Sequence, residues 1–287
     1  MMGAAEIQNP RGCLFRPAPA GKGIPLLKLL RNSSDLHDAW AGKDVHVLLS
    51  KIGPYKIFYW DIKKTGPHQQ LESEVINAFL RLLVIENNKV NMSKAVMIDS
   101  YEMTAIWMGR TSKVKMSPMD FQTVLGIVNV HYHWMLMVIS PHEKKCVFLD
   151  PMGETSGNIK RCSEATRAFM RKKGCNVSRW PCSALPHARQ RDGSSCGILT
   201  LKFAECILKG VPINILTTEE AVNQMRWDVA MKLLEESDNL SNLCHYCGLD
   251  ENEDPNWICC DNCGRWYHHE CVQRPPLHKN YLCPACK

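Results

Sequence analysis

The stretch "ARQRDGSSCGILTLKFAECILKG", residues 188–210, decides how this chain is read. Gln190 precedes Cys196, Gly197 follows the cysteine at once, and an apolar segment begins there. Ser194 and Ser195 are good N-cap residues for a helix opening at Cys196. Lys209-Gly210 and then Pro212 stop it. Ile198, Leu199, Leu201, Phe203, Cys206 and Ile207 make the helix apolar nearly all round, so it is expected at the centre of a fold. A thiol in the first turn of a helix meets unpaired N–H groups and the positive end of the dipole, which favour the thiolate. The Cys196 N–H also points toward any oxyanion formed there, and Gln190 would add a second donor. On these residues alone Cys196 is either a core thiol or a nucleophile.

A nucleophile needs a base, and the base needs an orienting partner. "HYHW" offers His131 and His133 ahead of the strand-like run 133–140, and "FLDPMG" places Asp150 at the end of the run 145–150. With Pro-His-Glu-Lys (141–144) as the turn, adjacent antiparallel strands would set His133 beside Asp150. His131 falls on the same face as His133 if both lie in one strand.

The other elements give an α+β order. "DVHVLLSKIGPYKIFYW" (44–60) reads as two β-runs around a Gly-Pro turn. Residues 71–88 carry an amphipathic helical pattern, 123–130 a strand, and 163–174 and 219–236 two more helices. The strands at 123–150 follow one another closely, so the sheet is expected to be antiparallel or mixed. Residues 1–43 are expected as a flexible lead-in, because their first part is rich in proline and glycine. The main domain is expected over 44–236, with "SDNLSN" inside a polar linker, 237–243.

The chain has 287 residues, 45% of them hydrophobic, which is enough for a substantial core. Its N-terminus lacks a signal-peptide apolar region, and its longest apolar run, "WMLMVIS", is too short to span a bilayer, so no membrane role is expected. Eight of its 15 cysteines fall after residue 240, in dense pairs, and the rest are scattered. That distribution suggests zinc and a reducing, intracellular compartment rather than a disulfide framework. The net charge is +6, yet the cysteine-rich tail holds more acids than bases. A basic body and an acidic tail suit partners of opposite sign. The basic run Lys160, Arg161, Arg167, Arg171, Lys172, Lys173 lacks interleaved aromatics, so direct nucleic-acid binding is not expected.

His133-Trp134, then Asp150, then Gln190-x5-Cys196-Gly197 resembles, in order and spacing, the ubiquitin-like-protein proteases of the SUMO-protease group. "QLESEVINAFLRLL" (70–83) resembles that family's helix opening. The resemblance covers about 55–210. It implies a papain-like cysteine protease domain with a central sheet and flanking helices, and no cofactor for catalysis. Cys196 would be the nucleophile, His133 the base and then the acid, Asp150 its orienter, and Gln190 part of the oxyanion hole. Trp134 would roof a narrow channel for a Gly-Gly tail, which only side-chain-free residues fit. Gln70 and Ser73 stand where the family has tryptophan and aspartate, and Ser195 where it has aspartate. With Gly197 these residues define the channel. The implied substrate is a SUMO-type modifier or its conjugates.

Residues 244–287 place Cys244-x2-Cys247, Cys260-x2-Cys263, His268-x2-Cys271 and Cys283-x2-Cys286. Eight soft ligands suit two tetrahedral, structural zinc ions. So short a module cannot bury enough apolar surface to fold without metal. The ligand order resembles the PHD finger. It implies that Cys244, Cys247, His268 and Cys271 share one ion and Cys260, Cys263, Cys283 and Cys286 the other, with Cys259 surplus. It also implies a histone-tail partner and a nuclear setting. Trp257 and Trp266 match walls of a methyl-lysine cage, which holds a quaternary ammonium by cation–π attraction. Asp250, Glu251, Glu253 and Asp254 would face a basic peptide. Two further readings fit the same residues: a protease-like domain that no longer cuts and serves as a binding protein, or a protease domain of mobile-element origin.

Overall fold

The alternation around Gly53-Pro54 produces a hairpin, β1 (Leu48–Ile52) antiparallel to β2 (Tyr55–Phe58). Gly53 lies at φ +60, where glycine carries no steric cost. A computed structural model describes residues 26–92, 94–250 and 256–287. Ahead of the hairpin runs α1 (Leu26–Trp40), inside the stretch expected as a lead-in. The expectation came from the prolines and glycines before it. Beyond them Leu36 and Ala39 share a helix face and are fully buried. The Trp40 indole N–H donates to Thr65 Oγ1 at 3.0 Å. The run expected as strand through Trp60 instead turns into α2 (Tyr59–Lys63), because the Asp61 carboxylate accepts the Phe58 N–H at 2.8 Å.

The amphipathic pattern at 71–88 becomes α3 (Ser73–Val90). β3 (Ala95–Ile98) and α4 (Ser100–Trp107) follow, both too short for periodicity to reveal. Asp99 caps α4, its carboxylate accepting from the N–H groups of Tyr101 and Glu102 at 3.0 and 2.9 Å. The three strand-like runs become β4 (Thr123–Val130), β5 (His133–Ser140) and β6 (Lys145–Leu149). β7 (Cys182–Ser183) completes a sheet of order β3-β4-β5-β6-β7. Its outer pairs are parallel and its inner pairs antiparallel, so it is mixed.

α5 (Ser156–Lys172) starts ahead of the expected 163, capped by Thr155. α6 (Cys196–Lys209) and α7 (Glu219–Glu235) follow. Alternate strand residues separate the two cores. Leu125, Ile127, Leu136 and Val138 face α3, α6 and α7, while Val124, Val128, Met137 and Phe148 face α4 and α5. The fold class expected from the sequence, α+β with a mixed sheet and flanking helices, is the observed one. No described helix is long and apolar enough to cross a membrane.

The C-terminal module is a hairpin, β8 (Trp257–Cys259) and β9 (Trp266–His268), over a small core of Cys244, Ile258, Tyr267, Tyr281 and Cys283. It packs on the main domain. Residues 237 and 238, expected as linker, run beside β1: the Asp238 N–H donates to Lys51 O at 2.8 Å and the Lys51 N–H to Ser237 Oγ at 3.1 Å. Further on, the Leu48 N–H donates to His245 O at 2.6 Å, and His245 Nδ1 meets Leu48 O at 2.6 Å. Burial pushes His245 down to about 4, so the ring is neutral and its Nδ1–H is the donor. Arg265 forms a buried ion pair with Asp35 of α1. Lys43 Nζ donates to Ala285 O at 2.6 Å.

Candidate active site and metal centres

β4 and β5 are joined by a two-residue turn, His131 at φ +51 and Tyr132 at φ +64, the left-handed pair that matches hairpin twist. The turn puts His133 first in β5. His131 therefore does not share a strand face with His133; it lies exposed in the turn. The β5–β6 register carries Asp150, just past β6, to the His133 ring: Nε2 to Asp150 Oδ1 is 2.6 Å. Asp150 is buried and also accepts the Met152 N–H at 2.9 Å, which fixes the carboxylate. Cys196 opens α6, 2% exposed, and its side chain lies beside the same ring, near enough to shift its protonation. Its Sγ also lies 3.9 Å from Tyr132 O.

The hydrogen bond that His133 donates to Asp150, then the interaction with Cys196, raises His133 from 6.5 to about 9 against the opposing pull of burial. The ring is an imidazolium at neutral pH, ready to protonate a leaving amine. Above about 9 that proton is gone, so turnover is expected to fall on the alkaline side near that value. An Asp150→Asn variant should move this limb to lower pH in a pH–rate profile. The shift also bears on stability. A folded value above the unfolded one contributes stability in full below about 6.5 and loses it as pH rises through about 9.

The loop before Cys196 departs from the expected serine caps. Ser195 holds the N-cap position without a side-chain cap bond. Asp192 instead ties the loop ahead of the helix: its Oδ1 accepts the N–H groups of Ser194 and Ser195, both at 2.7 Å. Burial pushes the Asp192 carboxyl up, but these two N–H bonds outweigh it and hold the group below its ordinary value. Gln190 is tied by its backbone N–H to Pro151 O at 2.8 Å, and its Nε2 donates to Asp192 O at 2.8 Å. A primary amide has two N–H bonds, so one is left for an incoming oxyanion. Trp134 is buried and its indole N–H donates to Leu71 O at 3.2 Å. Gly197 lies under the same residue, where an added Cβ would sit 3.1 Å from Leu71 Cβ. Gln70 is exposed and its Nε2 reaches Gly193 O at 3.5 Å. Ser73 begins α3.

Two supports are invisible to motif reading. Arg226 of α7, 1% exposed, sends Nη1 to Gly66 O at 3.0 Å and Nη2 to Ser194 O at 3.0 Å. It fastens the loop before Cys196 to the chain before α3. On a helix an arginine ordinarily signals a solvated face, so only the tertiary fold shows this use. Arg226→Lys should cost about 1.5–3 kcal/mol, because one ammonium cannot span two carbonyl directions. Urea unfolding would measure it, and no change in midpoint would show the fork to be dispensable. The second support is His187, whose Nε2 meets Glu154 Oε1 at 2.7 Å, while the Asp150 N–H donates to that oxygen at 3.0 Å.

In the C-terminal module the ligand atoms fall into two groups, Cys244, Cys247, His268, Cys271 and Cys260, Cys263, Cys283, Cys286, each with all atoms within 4.8 Å. Backbone N–H groups point at the sulfurs, His268 N to Cys244 Sγ and Cys283 N to Cys260 Sγ, both at 3.2 Å. Such donors stabilise thiolates, so the residues fit zinc. Cys259 Sγ lies toward Cys260 O at 3.6 Å, outside both groups. The β8–β9 register sets Trp257 and Trp266 on one face of the hairpin. Trp257 also packs edge-on against His268, with ring centroids 4.2 Å apart. Asp250 is exposed, and Glu251, Glu253 and Asp254 lie outside the described residues.

A family model described as "Ulp1 protease family, C-terminal catalytic domain" matches residues 69–240, more than half of the chain and all of the geometry around Cys196. The chain belongs to the Ulp1 protease family. Sentrin-specific protease 2 of Homo sapiens is 26% identical over 198 residues, covering 63% of this chain and 33% of that protein. PHD finger protein ALFIN-LIKE 5 of Oryza sativa subsp. indica is 48% identical over 48 residues, covering 15% of this chain and 19% of that protein. The chain thus spans a third or less of the length of these curated relatives. Among solved structures, the yeast C-terminal Ulp1 protease domain in complex with SMT3, the yeast ortholog of SUMO, matches with a TM-score of 0.58 at 14% identity. That match covers 76% of this chain and 98% of the other. The Chaetomium thermophilum Ulp1-like SUMO protease catalytic domain matches with a TM-score of 0.57 at 18% identity, covering 75% and 91%. These structures share the fold.

Proposed function

We propose that this chain is a thiol isopeptidase that cleaves after the C-terminal Gly-Gly of a SUMO-type modifier, with Cys196 as nucleophile. The observation that carries the proposal is the ring of His133 hydrogen-bonded to Asp150 and set beside Cys196 at the start of a buried helix. The Cys196 sulfur, its proton already on His133, attacks the carbonyl carbon of the terminal glycine. His133 delivers its proton to the leaving amine, and Gln190 with the Cys196 N–H receives the oxyanion. Water then releases the thioester, with the neutral His133 as base. Trp134, held by Leu71, roofs the tail. Gln70 replaces the aromatic residue of the family by a polar one, so the grip on the tail is weaker while the reacting groups are complete.

The C-terminal module is in this proposal a PHD finger holding two zinc ions, one in each ligand group, that docks the enzyme on a histone tail in the nucleus. Trp257 and Trp266 supply two aromatic walls for a methylated lysine. The support is the shared hairpin face and the likeness to ALFIN-like PHD finger proteins.

The test uses SUMO and ubiquitin ending in an electrophile at the C-terminal glycine. The SUMO probe should form one adduct, mapped by mass spectrometry to Cys196, and Cys196→Ser should abolish it. No adduct with either probe, or an adduct on Cys206, refutes the enzyme and leaves a binding protein. For the finger, calorimetry with the full-length Cys196→Ser chain should show tighter binding of a lysine-trimethylated histone tail than of the unmodified tail. Trp266→Ala should erase the preference without changing zinc content. Equal affinity for both tails removes the cage.

A further inference from the structure

We propose that Cys146, Cys162 and Cys182 form a zinc site inside the protease domain, separate from the finger and from the Cys196 site. The three Sγ atoms lie within 4.8 Å of one another, the same closeness that the ligand groups of the finger show. Three different elements deliver them. Cys146 in β6 and Cys182 in β7 are direct register partners on parallel strands, a pairing closed by the Cys146 N–H donating to Pro181 O at 2.9 Å. α5 packs on this face and contributes Cys162. Thr166 stands one helical turn further along and so on the same side of α5.

Thr166 supplies the second observation. Its hydroxyl is fully buried, has no hydrogen-bond partner and lies beside the Cys146 side chain. A buried hydroxyl without a partner is rare in a finished core and marks a place where a ligand belongs. Three thiolates with a water in the fourth place, for which the Thr166 hydroxyl is a ready hydrogen-bond partner, make a four-coordinate set of the kind zinc takes. The surroundings favour zinc over monovalent copper. Phe148, Phe169, Met170 and Trp180 line the region and are buried. Three thiolates leave a net charge of −1 with a divalent ion and −2 with a monovalent one, and an apolar setting penalises the larger charge more. Binding releases the thiol protons to solvent, with no change of oxidation state. The half-buried Cys182, at the sheet edge, is the route of access.

The consequence is mechanical. β7 has only two residues and begins the run that leads through His187 and Gln190 to Cys196. An ion shared by β6, β7 and α5 would staple the start of that run to the sheet.

The experiment measures zinc per full-length chain by elemental analysis, after purification with a reductant and removal of loose metal. Wild type should carry one zinc more than Cys182→Ser and one more than Cys162→Ala, with the finger ions kept in both. Hydrogen exchange of residues 174–186 should quicken in the variants by about tenfold or more. Cobalt loading should give wild type a thiolate charge-transfer band that exceeds that of Cys182→Ser. Equal zinc in wild type and Cys182→Ser overturns the proposal, and so does a mass lower by two hydrogens that marks a disulfide within the trio. If Cys162→Ala does not fold, the comparison with Cys182→Ser decides alone, since that side chain is at the edge.

Discussion

His133→Ala lowers turnover of a fluorogenic SUMO amide by about 10⁵- to 10⁶-fold, the scale seen when the base of a triad is deleted. The loss is large because one ring serves twice. It holds the proton that the leaving amine needs, and it lies beside Cys196, whose proton it would take. Asp150→Asn leaves the ring in place but removes the buried carboxylate 2.6 Å from Nε2, so about 10⁴-fold is lost instead. Gln190→Ala is milder, about 10²-fold, as for one oxyanion donor. His131→Ala should leave turnover close to wild type, because His131 is exposed in the β4–β5 turn. Steady-state kinetics on the four variants orders them. A His131 variant as damaged as the His133 variant would show that the wrong histidine has been assigned as base.

Asp35→Ala destabilises the full chain by about 3–5 kcal/mol, because it strands the Arg265 guanidinium in a buried site without its counter-charge. The side chains of Arg265 and Asp35 are 7% and 12% exposed, so water cannot replace the lost partner. Arg265→Ala should be comparably severe. Asp35→Leu combined with Arg265→Met should recover much of the loss, since an apolar pair removes both desolvation costs. Denaturant unfolding followed by both intrinsic tryptophan fluorescence and zinc release measures the effect and its reach. The protease domain and the finger are expected to unfold together, for the ion pair, the Leu48–His245 bonds and the Lys43–Ala285 bond all cross between them. A loss below about 1 kcal/mol for Asp35→Ala would place the pair in the solvent-screened class and make the finger a loosely held module.

The strands at 123–150, the central helix after Cys196 and the paired metal ligands were legible because each rests on local chemistry. Alternation shows a half-buried strand, an apolar run behind a capping loop shows a buried helix, and Cys-x2-Cys shows a metal knuckle. Other features have no local signal. α1 was hidden beside a proline-rich stretch, since burial of Leu36 and Ala39 depends on partners far along the chain. β3 and α4 are too short for a period to emerge. Ser195 holds the expected N-cap position but makes no cap bond with its side chain, and the Asp192 carboxylate fixes the loop ahead of it, a choice that only the path of the loop decides.

By itself the sequence determined the type of each reacting group, the order in which Cys196, His133, Asp150 and Gln190 occur, and the donors of the two finger groups, since residue chemistry and spacing are properties of the chain. The tertiary structure alone decided that His131 leaves the strand for an exposed turn while His133 faces Asp150 as expected, because that separation turns on two positive φ angles in a hairpin. It alone put Arg226 under Ser194 and Asp35 against Arg265, contacts between residues 32 and 230 positions apart. And it alone drew Cys146, Cys162 and Cys182 together, for their spacing in the chain is no metal motif and their meeting depends on a parallel strand pair with a helix laid across it.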